Sequence, residues 1–360
     1  MGLRTRTRRR LLPLYHHAVR RSPALRYLFF EITQRCNLAC RHCGSDCMAS
    51  SIHDDLPVET ALRVAREVAG AMDPRQVTAV ITGGEPLCHP GVFGLGAGLA
   101  ALGFPWGMVT NGWLWEPEIV ARARAAGMTS TCVSLDGLEA AHDALRGRAG
   151  SFRRALGAID LLRGPGGPPV MDVVTCAHPG NLDQLHDVHD LLVAHGVPAW
   201  RVFTIDPIGR GADPSLQLDR DGFQRLVHTV AALRAASPMR VNFGCGGHLG
   251  YATNRAVRDA DYVCLAGIRV GGVMVDGAIL ACPNIDRRLA QGDVHRDSFV
   301  QVWRERFQPF RDRRWMRQGP CIGCREWGLC QGNDMHLWDP DAGQTRLCHF
   351  REYGLAGFEP

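Results

Sequence analysis

Between residues 26 and 235, short apolar runs alternate with amphipathic stretches, and this alternation limits the possible fold more than any other feature of the chain. Strands are predicted over 26–32 (RYLFFEI), 77–82 (VTAVIT), 106–111 (WGMVTN), 129–135 (TSTCVSL), 170–176 (VMDVVTC) and 200–205 (WRVFTI). Helical patterns occupy 57–71, 90–103, 116–126, 151–163, 181–195 and 221–235. Apolar runs separated by amphipathic helices indicate βα units with parallel strands buried on both faces. Six such units form an open sheet or a partial barrel, and in either case the chemistry belongs at the carboxyl ends of the strands. The stretch "DPIGRGADPSLQLDR" at 206–220 breaks the rhythm and reads as a loop. Beyond about residue 240 the alternation stops. Residues 268–281 read as a hairpin whose Asp276-Gly277 pair suits a type I′ turn, and a cysteine-rich stretch closes the chain.

Length and composition narrow the class. With 360 residues, 46% hydrophobic and 21% charged, the chain is long enough for one large domain and a smaller one. No apolar run reaches the roughly 18 residues that a membrane span needs. The start, "MGLRTRTRRRLLPLYHHAVRR", is basic but has neither the apolar core nor the cleavage site of an export signal. It reads as a solvated cytoplasmic arm, without a membrane or nucleic-acid partner, and it supplies much of the net charge of +5. Every side-chain cation other than histidine is arginine, since lysine is absent. That excludes a Walker-A lysine and a pyridoxal-phosphate Schiff base. Fourteen cysteines without an export signal favour metal or catalytic use in a reducing compartment over disulfides.

The first cysteine group, "RCNLACRHCGSDC" at 35–47, follows the first predicted strand. Zinc knuckles bring ligands as two CxxC-like pairs. Three thiols on one loop, Cys36, Cys40 and Cys43, suit three irons of a [4Fe–4S] cube and leave the fourth iron open. Cys47 is either a fourth ligand or a nearby free thiol.

Four stretches in this order carry a resemblance. CxxxCxxC after the first strand, "TGGEP" at 82–86 after the second, "TNG" at 110–112 ending the third and "VSLDGLEAAHDALRGRAGSF" at 133–152 together resemble the radical S-adenosylmethionine (radical SAM) enzymes. The resemblance covers about residues 26–235 and implies an α/β fold, a partial (β/α)6 barrel of TIM type. It implies that Gly83, Gly84 and Glu85 meet the methionyl amino group, and that Ser134 and Arg146 approach S-adenosylmethionine and its carboxylate. His42 takes the place of a ring near adenine, and Asn111 lies in the third-strand motif. Arginine suits bidentate carboxylate binding. The chemistry implied is one-electron cleavage of S-adenosylmethionine to methionine and a 5′-deoxyadenosyl radical that abstracts hydrogen from a substrate.

The C-terminal cysteines read C-x12-G-x4-C (Cys264, Cys282), then C-x2-C-x5-C (Cys321, Cys324, Cys330), then Cys348. This resembles the SPASM extension, which binds auxiliary iron–sulfur clusters; a structural zinc ribbon of Cys321, Cys324, Cys330 and Cys348 is the alternative. The same four make the complete cluster site, while a site on Cys264 and Cys282 is incomplete. Where the SPASM pattern has another cysteine this chain has Asp334, so either Asp334 or Cys245 would complete that second site. One or two auxiliary clusters are expected. The organisation expected is a basic arm over 1–25, a radical SAM core over 26–238 and a SPASM-like auxiliary domain over 239–360.

Other features carry less. His186 and His189 lack the HExxH spacing of a metal site and read as a solvated helix face. Cys88, Cys132 and Cys176 lie in or beside strands, where free cysteine behaves as a small hydrophobe. "GRG" at 209–211 reads as a Gly-rich loop or an adenosine contact. The function expected is modification of a ribosomally made peptide, with a flavodoxin or ferredoxin as electron donor. The first 25 residues are too few for a leader-binding domain, so a separate leader-peptide-binding protein is a further candidate partner. Action on a small molecule in cofactor or antibiotic assembly is the alternative, and a non-catalytic metal scaffold a third. No hydrogen-abstracting or hydrogen-donating side chain is singled out.

Overall fold

The computed structural model describes residues 3–355; Met1, Gly2 and residues 356–360, the ends of the expected arm and auxiliary domain, lie outside the described residues. Seven strands run parallel in chain order: β1 (Tyr27–Glu31), β2 (Thr78–Thr82), β3 (Trp106–Thr110), β4 (Met128–Ser134), β5 (Val170–Ala177), β6 (Ala199–Thr204) and β7 (Arg240–Phe243). Eight helices precede or connect them: α1 (Leu3–Arg21), α2 (Val58–Ala71), α3 (Val92–Ala101), α4 (Pro117–Ala125), α5 (Glu139–Arg146), α6 (Ser151–Arg163), α7 (Leu185–Ala194) and α8 (Arg220–Ala236). The six predicted strands and six predicted helices are all present, and the fold is a partial barrel of βα units.

Alternate strand residues point to opposite faces of the sheet, and the two faces differ. Leu28 and Phe30 of β1 pair in register with Ala79 and Ile81 of β2, and these four are fully buried in one core with Ala61, Val64 and Val68 of α2. On β4 to β7 the opposite row includes Cys132, Asp172, Arg201 and Asn242, brought side by side by the registers Cys132↔Asp172 and Arg201↔Asn242. Asp172 and Arg201 form an ion pair there, and both keep some solvent exposure. The face away from the helices therefore mixes a partly exposed ion pair with apolar residues, whereas the apolar runs suggested burial on both sides.

The sheet also extends the other way. β8 (Val270–Val273) pairs parallel to β1, β9 (Ala278–Leu280) is antiparallel to β8, and β10 (Gly292–Asp293) is antiparallel to β9. Residues 240–293, expected beyond a boundary at 238, thus contribute four strands to one ten-stranded sheet with edges at β7 and β10. The β8–β9 connection is not a type I′ turn. Gly277 has φ +86° but Asp276 keeps negative φ, and the Gly277 N–H donates to the Met274 carbonyl at 2.9 Å. The loop is three residues ending in a left-handed glycine, the next commonest hairpin connection.

Two further expectations are corrected. Much of the basic arm is helix α1, docked rather than solvated. Arg8 pairs with Asp261 at 2.7 Å and Arg9 with Glu326 at 2.6 Å, while Leu12 packs with Tyr251 and Leu329. Its acidic partners lie more than 250 residues away, where no local pattern reveals them. His189 is buried rather than solvated: its ring hydrogen-bonds Asp190 at 2.8 Å and Ser237 at 2.7 Å. Among the described residues, no helix is long and apolar enough to cross a membrane.

Candidate functional site

The loop after β1 is held by close backbone approach. An added Cβ on Gly83 (φ +154°) would stand 2.3 Å from the Thr33 carbonyl oxygen, and one on Gly84 would stand 2.4 Å from that of Arg35. Only glycine lets the loops after β1 and β2 touch this way. The Gly84 N–H donates to the Thr33 carbonyl at 2.8 Å and the Glu85 N–H to that of Arg35 at 3.0 Å. These two amides are therefore spent within the chain, and what the motif offers a ligand is carbonyl and carboxylate oxygen.

Each of the three cysteines expected to hold iron has at least one N–H donor at its sulfur. Asn111 Nδ2 lies 3.8 Å from Cys36 Sγ, Arg146 Nη1 3.7 Å from Cys40 Sγ, and the Cys47 N–H 3.3 Å from Cys43 Sγ. Such donors favour thiolate. The Cys43 thiol is held down at about 6, chiefly by the hydrogen bond from the Cys47 thiol and further by the Cys47 N–H, whereas burial raises Cys36 to about 12. Arg210 of the "GRG" stretch fastens the loop from the other side: Nε donates to the Cys40 carbonyl at 2.8 Å, Nη2 to the Cys47 carbonyl at 2.9 Å, and Nη1 meets Asp46. A Cβ on Gly209 would stand 2.5 Å from the Gly44 carbonyl oxygen. This is a clamp on the cysteine loop, which neither sequence reading of "GRG" anticipated.

Glu85 is fully buried beside these thiols. Its carboxylate accepts from Thr110 Oγ1 at 2.9 Å, the Asn111 N–H at 2.8 Å and the Leu87 N–H at 3.3 Å, yet burial still raises it to about 7. A cation placed against it would relieve that burial cost. Ser134 closes β4 and is buried.

Arg146 stands apart from the expectation in one respect: its guanidinium already has a carboxylate. Nη2 lies 2.5 Å from Asp136 Oδ2, with both groups buried. Asp136 also accepts the Cys176 N–H at 2.8 Å, and its own N–H donates to His142 Nδ1 at 2.9 Å. Burial would raise Asp136, but Arg146, His42 and His142 outweigh it and hold the carboxyl at about 2. His42 Nε2 lies 3.8 Å from the same carboxylate, and burial lowers the ring to about 4. His42, Asp136 and Cys176 come within metal-binding reach of one another, but the paired arginine cation argues against a metal ion there. Asp136, His142, Thr110 and Arg210 lie inside the quoted motifs, but none was given these roles from sequence. The one available signal was an Asp-Gly directly beyond β4 with a histidine and an arginine following on a short helix.

The donor set fits a polar ligand at the strand ends. His42 Nδ1, Asn37 Nδ2, Arg146 Nε, His142 Nε2 and His178 Nε2 are buried with no hydrogen-bond partner. Native proteins rarely leave such atoms unsatisfied.

In the C-terminal region Cys321, Cys324, Cys330 and Cys348 line one cavity together with His248, Glu326 and Trp327. Cys264, Cys282 and Cys245 form a second group around Asp334, and the charges of Cys264 and Asp334 add to burial in raising Cys282 to about 12. Both Asp334 oxygens are occupied: Oδ2 accepts the Gly246 and Gly247 N–H groups at 3.0 and 2.7 Å, and Oδ1 the Tyr262 hydroxyl at 2.8 Å. Burial opposes ionisation, but His336, the Gly247 N–H and Tyr262 hold Asp334 at about 2.

Comparison with known proteins agrees with this geometry. Residues 30–192 match the model of the Radical SAM superfamily. The mycofactocin maturase MftC of Mycobacterium ulcerans is 32% identical over 316 residues, covering 86% of this chain and 82% of that one. The AdoMet-dependent heme synthase of Methanosarcina barkeri is 29% identical over 331 residues, covering 86% and 91%. The structure of Streptococcus suis SuiB bound to S-adenosylmethionine shares the fold with a TM-score of 0.70 at 15% identity, covering 91% of this chain and 77% of that one. A loop of three cysteines fastened at the open end of a partial barrel, with a relative at 32% identity over most of both chains, places this protein in the radical SAM superfamily as an iron–sulfur enzyme.

Proposed function

We propose that this radical SAM enzyme modifies a ribosomally made peptide. Cys36, Cys40 and Cys43 hold a [4Fe–4S] cluster with one iron free of protein ligands. Gly83, Gly84 and Glu85 receive the methionyl ammonium of S-adenosylmethionine, Ser134, Asn111 and Arg146 face its polar groups, and His42 lies against adenine. When bound, the cluster and S-adenosylmethionine supply one-electron cleavage and a hydrogen-abstracting carbon radical. The chain's own part is to fasten the thiols, neutralise the ammonium on buried Glu85 and hold Arg146 through Asp136.

The observation that carries the reading is the open sheet. Its edges, β7 and β10, are not paired with each other, so the strand ends are not ringed by strands. A chain-like substrate can therefore approach from the side. The 32% identity to a peptide maturase supports the same choice, as does the precursor peptide bound by SuiB on this fold. A second reading, a small molecule of the heme class, is favoured by the heme synthase likeness over 91% of that protein. In either case Cys321, Cys324, Cys330 and Cys348 hold one auxiliary cluster. Cys264, Cys282 and Cys245 hold a second, with Asp334 bracing it by hydrogen bonds. A flavodoxin or ferredoxin supplies electrons, and a separate protein presents the leader peptide.

The test is co-expression with the short peptide encoded nearest this gene, followed by mass spectrometry. A mass change absent from the Cys36→Ala/Cys40→Ala/Cys43→Ala variant supports the peptide reading. An unchanged peptide, with 5′-deoxyadenosine released only when a heme-class compound is added, would transfer the assignment to the small molecule.

A further inference from the structure

Helix α1 buries two groups that nothing in its own sequence explains. Arg20 is 7% exposed, and its Nε and Nη1 are buried without a hydrogen-bond partner. Arg313, 1% exposed, is its neighbour: Nε donates to the Phe310 carbonyl at 3.0 Å, Nη1 to that of Asn333 at 3.0 Å and Nη2 to that of Cys264 at 3.3 Å. Among the described residues neither arginine forms an ion pair within 4.0 Å. Burial and the charge of Arg313 together lower Arg20 to about 10, a mark of two cations pressed into the same interior. His16, one turn before Arg20, is buried, and burial together with the Arg20 charge lowers its ring to about 4.

An unpaired buried cation is among the most costly arrangements in a protein interior. The groups that offset Arg20 electrostatically are Cys264, Tyr262 and Cys330, and for Arg313 they are Cys264, Tyr262 and Asp334. Cys264 belongs to one C-terminal cysteine group and Cys330 to the other. Arg313 reaches both groups: it donates to the Cys264 carbonyl at 3.3 Å and to the Asn333 carbonyl at 3.0 Å, and the Asn333 N–H lies 3.2 Å from Cys330 Sγ. The negative charge the two arginines lack is the charge that thiolate-bound iron–sulfur clusters carry. Arg20 reaches this place because α1 is pinned along its length by Arg8–Asp261, Arg9–Glu326 and Leu12 against Leu329.

We propose that Arg20 and Arg313 form a cationic bridge between the two C-terminal cysteine sites, favouring the more negative, reduced state of the clusters there. They are positioning residues that touch no substrate, and α1 is the element that sets the potentials. Net charge and hydrogen bonding around a cluster are among the determinants of its potential. The added electron comes from the external one-electron donor, and the bridge supplies only the counter-charge. The inference rests on the assignment of auxiliary clusters given above.

The experiment uses the full-length, iron-reconstituted protein in the Cys36→Ala/Cys40→Ala/Cys43→Ala background, so that only the C-terminal clusters respond. Potentiometric EPR is recorded for that parent, for Arg20→Met and for Arg20→Lys, with iron content and thermal melting measured alongside. Arg20→Met is expected to keep its iron and shift reduction about tenfold toward the oxidised state, 59 mV for a one-electron couple. Arg20→Lys is expected to recover most of that shift. An Arg20→Met protein with full iron and an unmoved midpoint would overturn the bridge. A parent protein that holds no iron would instead overturn the auxiliary-cluster assignment. If Arg20→Met melts before assay, Arg20→Lys compared with Arg20→Gln gives the same reading.

Discussion

Cys36, Cys40 and Cys43 stand on one loop that β1, two glycines and Arg210 hold in place, and each sulfur has its own N–H donor. Cys321 ends a 3₁₀ turn and Cys330 a four-residue helix, while Cys324 and Cys348 lie on connecting turns in a region, 319–352, whose only strands among the described residues are a two-residue pair. Much of what packs that second region to the rest is Leu329 against α1 and the run Met335, Leu337 and Trp338 in the main core. The first site is preorganised by a sheet, so the thiols proposed to hold iron are placed by the fold itself. The second has little framework of its own, so the iron proposed for it and its fold should depend on one another. Chemistry that must tolerate an open coordination position belongs on the first kind of site, and closed supporting sites on the second.

The largest effect should come from removing the first site. The Cys36→Ala/Cys40→Ala/Cys43→Ala protein should release no 5′-deoxyadenosine above background under anaerobic reduction while melting close to the parent. Residual cleavage by the triple variant would mean that the two regions share the work. Next, Cys330→Ala should lose C-terminal iron and destabilise that region by on the order of 4 kcal/mol, as loss of a structural metal does. Limited proteolysis should then cut within 314–352 and spare the barrel. Cleavage in the barrel instead would erase the proposed difference between the regions.

Within the first site, Asp136→Asn should cost about 3–5 kcal/mol, because it leaves Arg146 buried beside Cys40 without its carboxylate. Urea unfolding measures this, and a change below about 1 kcal/mol would show that Arg146 relaxes to solvent. The seam between the regions should respond to pH. His336 Nε2 lies 2.9 Å from Asp206 Oδ2, and although burial opposes the charge, Asp206 and Asp334 raise the imidazole from 6.5 to about 9. A raised folded value means the stabilisation is complete below about 6.5 and is lost as pH climbs through about 9. The loss is about 3 kcal/mol, and His336→Gln should flatten that part of the profile. The smallest effect expected is Gly84→Ala, about 1–3 kcal/mol from the clash with the Arg35 carbonyl.

Legibility followed the range of the interactions. The βα rhythm and the CxxxCxxC spacing are local patterns, and the strands, the helices and the place of the cysteine loop after β1 follow from them. β7 escaped notice because Arg240–Phe243 is four residues long with a glycine directly after it. Helix α1 read as a solvated tail because cations dominate its sequence, and the carboxylates that dock it, Asp261 and Glu326, are remote in the chain.

By itself the sequence determined which candidates for iron and S-adenosylmethionine binding the chain carries and the order in which the strands present them, because backbone periodicity and motif spacing are written within a few residues. Only the tertiary structure decided who neutralises whom. Asp136 claims Arg146, Arg210 clamps the cysteine loop, Tyr262 and two glycine amides occupy Asp334, and Arg20 and Arg313 meet between the C-terminal cysteines. Electrostatic pairing depends on distance in space and on the exclusion of water, and neither quantity exists until the chain has folded.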